Sequence, residues 1–175
     1  MKKDPVESAE LYRLSRLFSF PEVWPDGAVL DSRSDGGGHR PIAGTIDTDL
    51  QALQNAYVRL FINALPEVPC PPYGSYYLEG VLMGEITIRL ARMYGEYGFK
   101  LKEMADHIAV ELEFLALLTV LLKQNDVVRK DHQFLLTHLQ QWTPEFFDRV
   151  EQRDPTGFYI GVAGDARRIL LRGSA

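Results

Sequence analysis

The chain has one cysteine, Cys70, in 175 residues. A lone cysteine excludes an intramolecular disulfide framework and any zinc or iron–sulfur centre built on a cysteine cluster. It stands among prolines, with no Lys, Arg or His beside it to lower its pKa, and reads as an inert thiol. Positive charge is in deficit, with 19 Lys and Arg against 24 Asp and Glu and a net charge of −5. That balance argues against nucleic acid and against anionic lipid as general partners. Long apolar runs are missing as well. The longest uncharged stretch of the apolar region, Phe114 to Leu122, is nine residues, where a membrane span needs about 18–20. The opening MKKDPVESAE has no apolar core and does not read as a secretory signal. These absences lead to the expectation of a soluble, cytoplasmic protein without stable membrane insertion. The length suits one compact domain over residues 1–175. A domain of that size buries roughly 70% of its unfolded surface and needs no cross-link.

Proline is absent from Tyr73 to Thr143, a stretch rich in Leu, Ala, Glu and Met, which favours long helices. The spacing predicts a first helix over Val6–Phe20, with Leu11, Leu14, Leu17 and Phe18 as its apolar stripe. Residues 24–44, with five glycines, read as a flexible surface loop. A second helix is expected near Thr48, where Thr48 and Gln51 have capping-box spacing, and it is stopped by the prolines of LPEVPCPPY. A third is expected over Ser75–Tyr97, with Leu82, Ile86, Leu90 and Met93 on one face, closed by Gly98. Ala105–Gln124 reads as the most buried helix. Val127–Gln141 follows, capped by Asp126. Thr143-Pro144-Glu145 signals a separate short helix to about Glu151. Asp154-Pro155-Thr156 opens a last helix over Gly157–Arg172. No segment alternates as strands do. The expected fold is an all-α bundle of about six or seven helices.

Chemistry-bearing residues are few. Glu103, Asp106, Glu111 and Glu113 form an acidic run without Lys or Arg, at the start of the most buried helix. Asp106 in a first helical turn would favour the helix dipole, or would help form an anionic site for a cationic partner, with His107 beside it. His107 and Glu111 have the i, i+4 spacing of a helical metal pair. A helical metal-dependent phosphohydrolase built on Asp106-His107 is therefore the alternative reading, but only four histidines are available to complete a ligand set. Ser75 lacks the G-x-S-x-G context of a nucleophile. No phosphate loop supports a guanine nucleotide. No catalytic residue, metal or cofactor is expected. Tyr57, Leu60 and Phe61, followed by the turn at Pro71, Pro72 and Tyr73, read either as core or as the wall of a peptide-binding groove. Gly84 would permit close packing within a helix.

Five segments in order carry a resemblance. They are YVRLF (57–61), PPYGSYY (71–77), LMGEIT (82–87), ADHIAVELEFL (105–115) and HLQQWTPEFF (138–147). Together they make the chain resemble the TorD/DmsD/NarJ family of redox-enzyme maturation chaperones, on its TorD/DmsD side. The resemblance implies an all-helical cytoplasmic chaperone that is not an enzyme. It would bind the twin-arginine signal peptide of a molybdopterin oxidoreductase and delay export until the cofactor is inserted. It implies signal-peptide contacts at Tyr57, Leu60, Phe61, Pro72, Tyr73, Gly84, Asp106 and His107. Many members have a proline two residues before the aspartate, where this chain has Met104. Glu111 joins these residues as a further carboxylate for the peptide's arginines. Both a monomer and a domain-swapped dimer are compatible with such a bundle.

Overall fold

A computed structural model describes residues 8–25 and 46–171. Seven α-helices are formed among them: α1 Ser8–Leu17, α2 Ile46–Tyr57, α3 Gly74–Glu79, α4 Glu85–Glu96, α5 Ile108–Leu122, α6 Arg129–Arg153 and α7 Phe158–Leu170. One turn of π-helix, Val58–Ile62, continues α2, and a 3₁₀ turn, Asp126–Val128, leads into α6. No strand is present among the described residues. The all-helical expectation holds. The loop expected at 24–44 lies outside the described residues beyond Pro25, as does the expected start of the first helix at Val6 and the end of the last at Arg172.

α5 is the hub. Ile108, Leu112, Phe114, Leu115 and Leu118 are all fully buried, because the helix packs mainly against α1 and also against α6. Each such side chain contributes about 1.5–3 kcal/mol by leaving water. α6 in turn packs on α7 and on α3. A second layer of the core is aromatic. Phe18 stands 5.7 Å from Phe146 between ring centroids, Phe61 5.0 Å from Tyr159, and Tyr77 stacks on Trp142 at 5.5 Å.

Four boundaries differ from the sequence reading, each for a physical reason. Thr48 is the third residue of α2, Ile46–Tyr57, rather than the residue before it. The single helix expected over Ser75–Tyr97 is broken at Gly80–Gly84 into α3 and α4. The break is stabilised by Glu79, whose Oε1 accepts the Ile86 N–H at 2.8 Å and so caps α4. Gly84 is accordingly the residue before α4 rather than one inside a helix. A Cβ there would stand 1.5 Å from Glu79 Oε2, so glycine leaves room for the capping carboxylate. Leu82, expected on the buried stripe, is exposed on this connection.

The two helices expected around Thr143-Pro144 are one, since α6 runs through Pro144. Pro144 removes one helical hydrogen bond, at a cost of about 3 kcal/mol. Trp142, Phe146, Phe147 and Val150 flank it, all buried, and their burial outweighs that cost. The turn before α6 is capped by Asn125, whose side chain accepts the Val127 N–H, rather than by Asp126. Other signals are realised as read. Asp154 accepts the N–H groups of Tyr159 at 2.8 Å and Ile160 at 3.2 Å and opens α7. Gly98 closes α4, with the Phe99 N–H donating to the Tyr94 carbonyl at 3.0 Å.

Candidate functional site

Two distant segments meet at the start of α5. The proline turn brings Tyr73 into a single antiparallel bridge with His107. The Gly74 N–H donates to the Asp106 carbonyl and the Ile108 N–H to the Pro72 carbonyl, each at 2.9 Å. The Tyr73 and His107 rings meet edge to face at 5.3 Å. The prolines make this geometry accessible: they hold the chain extended and leave few N–H donors without partners.

Asp106 is fully buried. Its Oδ2 accepts the Ser75 N–H at 3.0 Å and the Ser75 hydroxyl at 2.6 Å. It therefore lies before α5, not in its first turn, and its carboxylate holds the start of α3. His107 caps α5, with Nδ1 accepting the Ala109 N–H at 3.1 Å. That bond requires an unprotonated Nδ1. Burial pushes the His107 pKa down to about 4, against the opposing pull of Glu103 and Asp106.

Glu111 is likewise fully buried and faces α6. His138 Nε2 lies 3.2 Å from both of its oxygens, with hydrogen-bond geometry toward Oε1. Burial works against the His138 imidazolium, but the charge and hydrogen bond of Glu111 outweigh it and raise its pKa. Gly74 closes this cluster from above. A Cβ there would stand 3.1 Å from His138 Nε2 and from Trp142 Nε1, and 3.3 Å from Glu111 Oε1. The turn approaches α6 closely enough that a Cβ here would have to push these side chains aside by a few tenths of an ångström.

The residues singled out from the sequence fall into three groups. Pro72, Tyr73, Asp106, His107 and Glu111 come together at this joint. Tyr57, Leu60 and Phe61 are buried in the aromatic core. The Tyr57 hydroxyl donates to the Phe18 carbonyl at 3.3 Å, and the Leu60 carbonyl accepts the Cys70 N–H at 3.0 Å. These three hold the proline turn from beneath and present no side chain to a groove. Gly84 stands apart, at the α3–α4 connection. Cys70 is buried, and burial pushes its thiol up to about 11, which keeps it protonated and inert.

Asp106 and Glu111 are both fully buried in this arrangement. Two acids of the run are exposed, Glu103 and Glu113, and Glu103 is the one beside this joint in the chain. Its charge acts on Tyr73 and Tyr57 and on His107, so it lies within electrostatic reach of all three. Sequence reasoning placed Glu103 in the acidic run but not among the site residues. It also missed Ser75 and His138 as partners of the two buried acids, and Trp142 beside them. The only sequence signal for His138 and Trp142 was their shared helical face at i, i+4. For the phosphohydrolase alternative, Asp106 is committed to Ser75 and His107 to its capping bond. Among the described residues no group of three or more His, Cys, Asp or Glu is arranged to hold a metal ion. No helix among them is long and apolar enough to cross a membrane.

Helices in this order around such a joint define a fold already seen in redox-enzyme maturation. The crystal structure of a protein from Archaeoglobus fulgidus, assigned as a redox enzyme maturation protein, superposes with a TM-score of 0.63 and 33% identity, covering 94% of this chain and 92% of that one. The family model described as nitrate reductase delta subunit matches residues 36–148, and the chain belongs to that family, the TorD/DmsD/NarJ group. The Tat proofreading chaperone DmsD of Salmonella typhi is 30% identical over 138 residues, 77% of this chain and 67% of that protein. Chaperone protein TorD of Vibrio parahaemolyticus is 31% identical over 107 residues, 53% of this chain and 49% of that protein. The chain thus spans about half the length of the TorD relatives it matches.

Proposed function

We propose that this protein is a cytoplasmic chaperone for the maturation of a molybdopterin oxidoreductase, and that it binds the twin-arginine signal peptide of that partner before export. Family membership and the names of the TorD and DmsD relatives support the chaperone role. The observation that carries the peptide reading is the Tyr73–His107 joint, with a half-buried tyrosine at it and the exposed acid Glu103 four residues before His107 in the chain. A guanidinium pairs with a carboxylate through two parallel hydrogen bonds and stacks on an aromatic face. Val58, Ile62 and Leu65, all exposed on and beyond the π turn, offer apolar surface to the hydrophobic part of such a peptide. Tyr57, Leu60, Phe61, Pro72, Asp106, His107 and Glu111 act by fixing the frame, and Gly84 by keeping the α3–α4 connection.

Calorimetric titration with a twin-arginine signal peptide tests the reading. An exposed ion pair is worth about 0.2–1 kcal/mol, so Glu103→Gln should weaken binding by up to about fivefold. Glu103→Lys should weaken it further, with melting unchanged in both variants. Unchanged affinity in Glu103→Lys would remove Glu103 from the site. No binding of the wild type to signal peptides of molybdopterin oxidoreductases would sink the function itself.

A further inference from the structure

A cleft of about 740 Å³ runs between α4 and α6, with α3 at one end. Its floor is Phe134 and His138, and Ile86 and Leu78 add apolar wall. Its rim carries Arg89, Arg129 and Lys130, all exposed; Arg129 is ion-paired with Asp126, which leaves Arg89 and Lys130 as the cations facing the cleft. Arg89 lies over the Phe134 ring at 4.0 Å from its centroid, which holds the guanidinium at the mouth of the cleft. Glu79 is the one carboxylate on the lining, and it is engaged in capping α4. In a chain of net charge −5, this cleft concentrates the opposite sign. Beyond Leu78 and Ile86, the connection between α3 and α4 exposes Val81, Leu82 and Met83 in succession. Met83 is held there with φ of +60°, a strained conformation for a residue with a side chain. A run of exposed apolar residues beside a cationic cleft with exposed walls suits a polypeptide laid across it better than an enclosed small molecule.

We propose that this cleft docks an acidic polypeptide segment of the client, distinct from its basic signal peptide. Carboxylates of the segment pair with Arg89 and Lys130, and one of its apolar side chains rests on Phe134 and Ile86. The proposal rests on the chaperone reading only in taking the occupant to be a polypeptide. The sign of charge separates the two surfaces: a twin-arginine n-region is repelled by this rim and drawn to Glu103, and an acidic segment behaves in the opposite way.

Fluorescence anisotropy of the full chain tests it. The probe is a fluorescein-labelled octapeptide of alternating Glu and Leu with one central Phe, and the control is the same peptide with Lys for Glu. A twin-arginine signal peptide is titrated in parallel. The acidic probe should bind saturably and weaken with salt, and the Lys peptide should not bind. Arg89→Glu with Lys130→Glu should reduce acidic-probe affinity tenfold or more and leave signal-peptide affinity within twofold. Phe134→Leu should reduce it severalfold, with melting recorded for every variant. No saturable binding of the acidic probe, equal binding of the Lys peptide, or indifference to the double charge reversal would overturn the proposal. Loss of signal-peptide binding in the wild type, with the acidic probe still bound, would remove the signal-peptide reading and leave this site standing.

Discussion

Asp106 is the residue where a contact role and a positioning role make opposite forecasts. Its Oδ2 takes two hydrogen bonds from Ser75, at 3.0 Å from the backbone and 2.6 Å from the hydroxyl, in a fully buried setting. Bonds to a charged acceptor are worth about 1.5–3 kcal/mol each. Asp106→Ala removes both and leaves two buried donors without partners. Part of that loss is offset because a buried carboxylate, with Oδ1 already lacking a partner, no longer has to be kept from water. The net expectation is about 3 kcal/mol. For a chain of this size that lowers Tm by about 6–12 °C. Ser75→Ala removes only the hydroxyl bond and should cost about 1.5 kcal/mol. The double variant should be about as unstable as Asp106→Ala alone, giving a coupling of about 1.5 kcal/mol in the cycle. Urea unfolding followed by circular dichroism measures all four species, with titration of a twin-arginine peptide on each. Additive losses would refute the bond network. Full stability of Asp106→Ala together with lost peptide affinity would refute the positioning role and restore Asp106 as a contact.

Protonation of His107 is a second test. Its pKa is lowered to about 4 by burial, so the folded state binds fewer protons than the unfolded one between about 4 and the ordinary value near 6.5. Stability is therefore fully present above about 6.5 and falls as the pH drops toward 4, by about 3 kcal/mol over that window. His107→Asn keeps an acceptor at the α5 cap and should flatten this part of the pH profile in urea melts. Gly84→Ala should drive the Glu79 carboxylate off its capping bond to Ile86, since the new methyl would sit 1.5 Å from Oε2. The expected cost is about 1 kcal/mol, and Glu79→Ala should remove most of the difference. Phe146→Ala, in the aromatic layer, should cost about 3–5 kcal/mol by thermal melting. Pro144→Ala should raise stability by up to about 3 kcal/mol, by returning an N–H to the interior of α6.

The helical class was readable because the signals for it are local. Proline-free sequence, 3.6-residue periodicity, the glycine after α4 and the Asp154 cap all act within a few residues of themselves. Where the reading failed, a long-range term had overridden a local one. Thr143-Pro144-Glu145 has the features of a helix start, but burial of Trp142, Phe146 and Phe147 carries α6 through it. The periodicity of Leu82, Ile86 and Leu90 favours one helix, but a carboxylate seven residues before Ile86 supplies a second start. The candidate site shows the same division. Asp106, His107 and the proline turn were found as residues. Their burial was not, because the groups that satisfy Asp106 and Glu111 lie 31 and 27 residues away in the chain, and a carboxylate without a visible partner reads as a surface charge.

That inversion alters how the motif should be understood. A groove for a flexible peptide loses affinity if its walls also have to be ordered on binding. The polar motif residues do that ordering in advance. Asp106 ties α5 to α3 through Ser75, Glu111 ties α5 to α6 through His138, and Tyr57 ties the end of α2 to the end of α1 through Phe18. On the proposed peptide-binding reading, substituting any of them should reduce binding, and would look like a contact in an affinity measurement taken alone. The discriminating variable is stability. Affinity and stability should fall together at Asp106, Glu111 and Tyr57, whereas at Glu103 affinity alone should fall. His138 extends the frame further, since it closes the Glu111 pair on one side and floors the cationic cleft on the other. A substitution there is thus the one expected to disturb both surfaces at once.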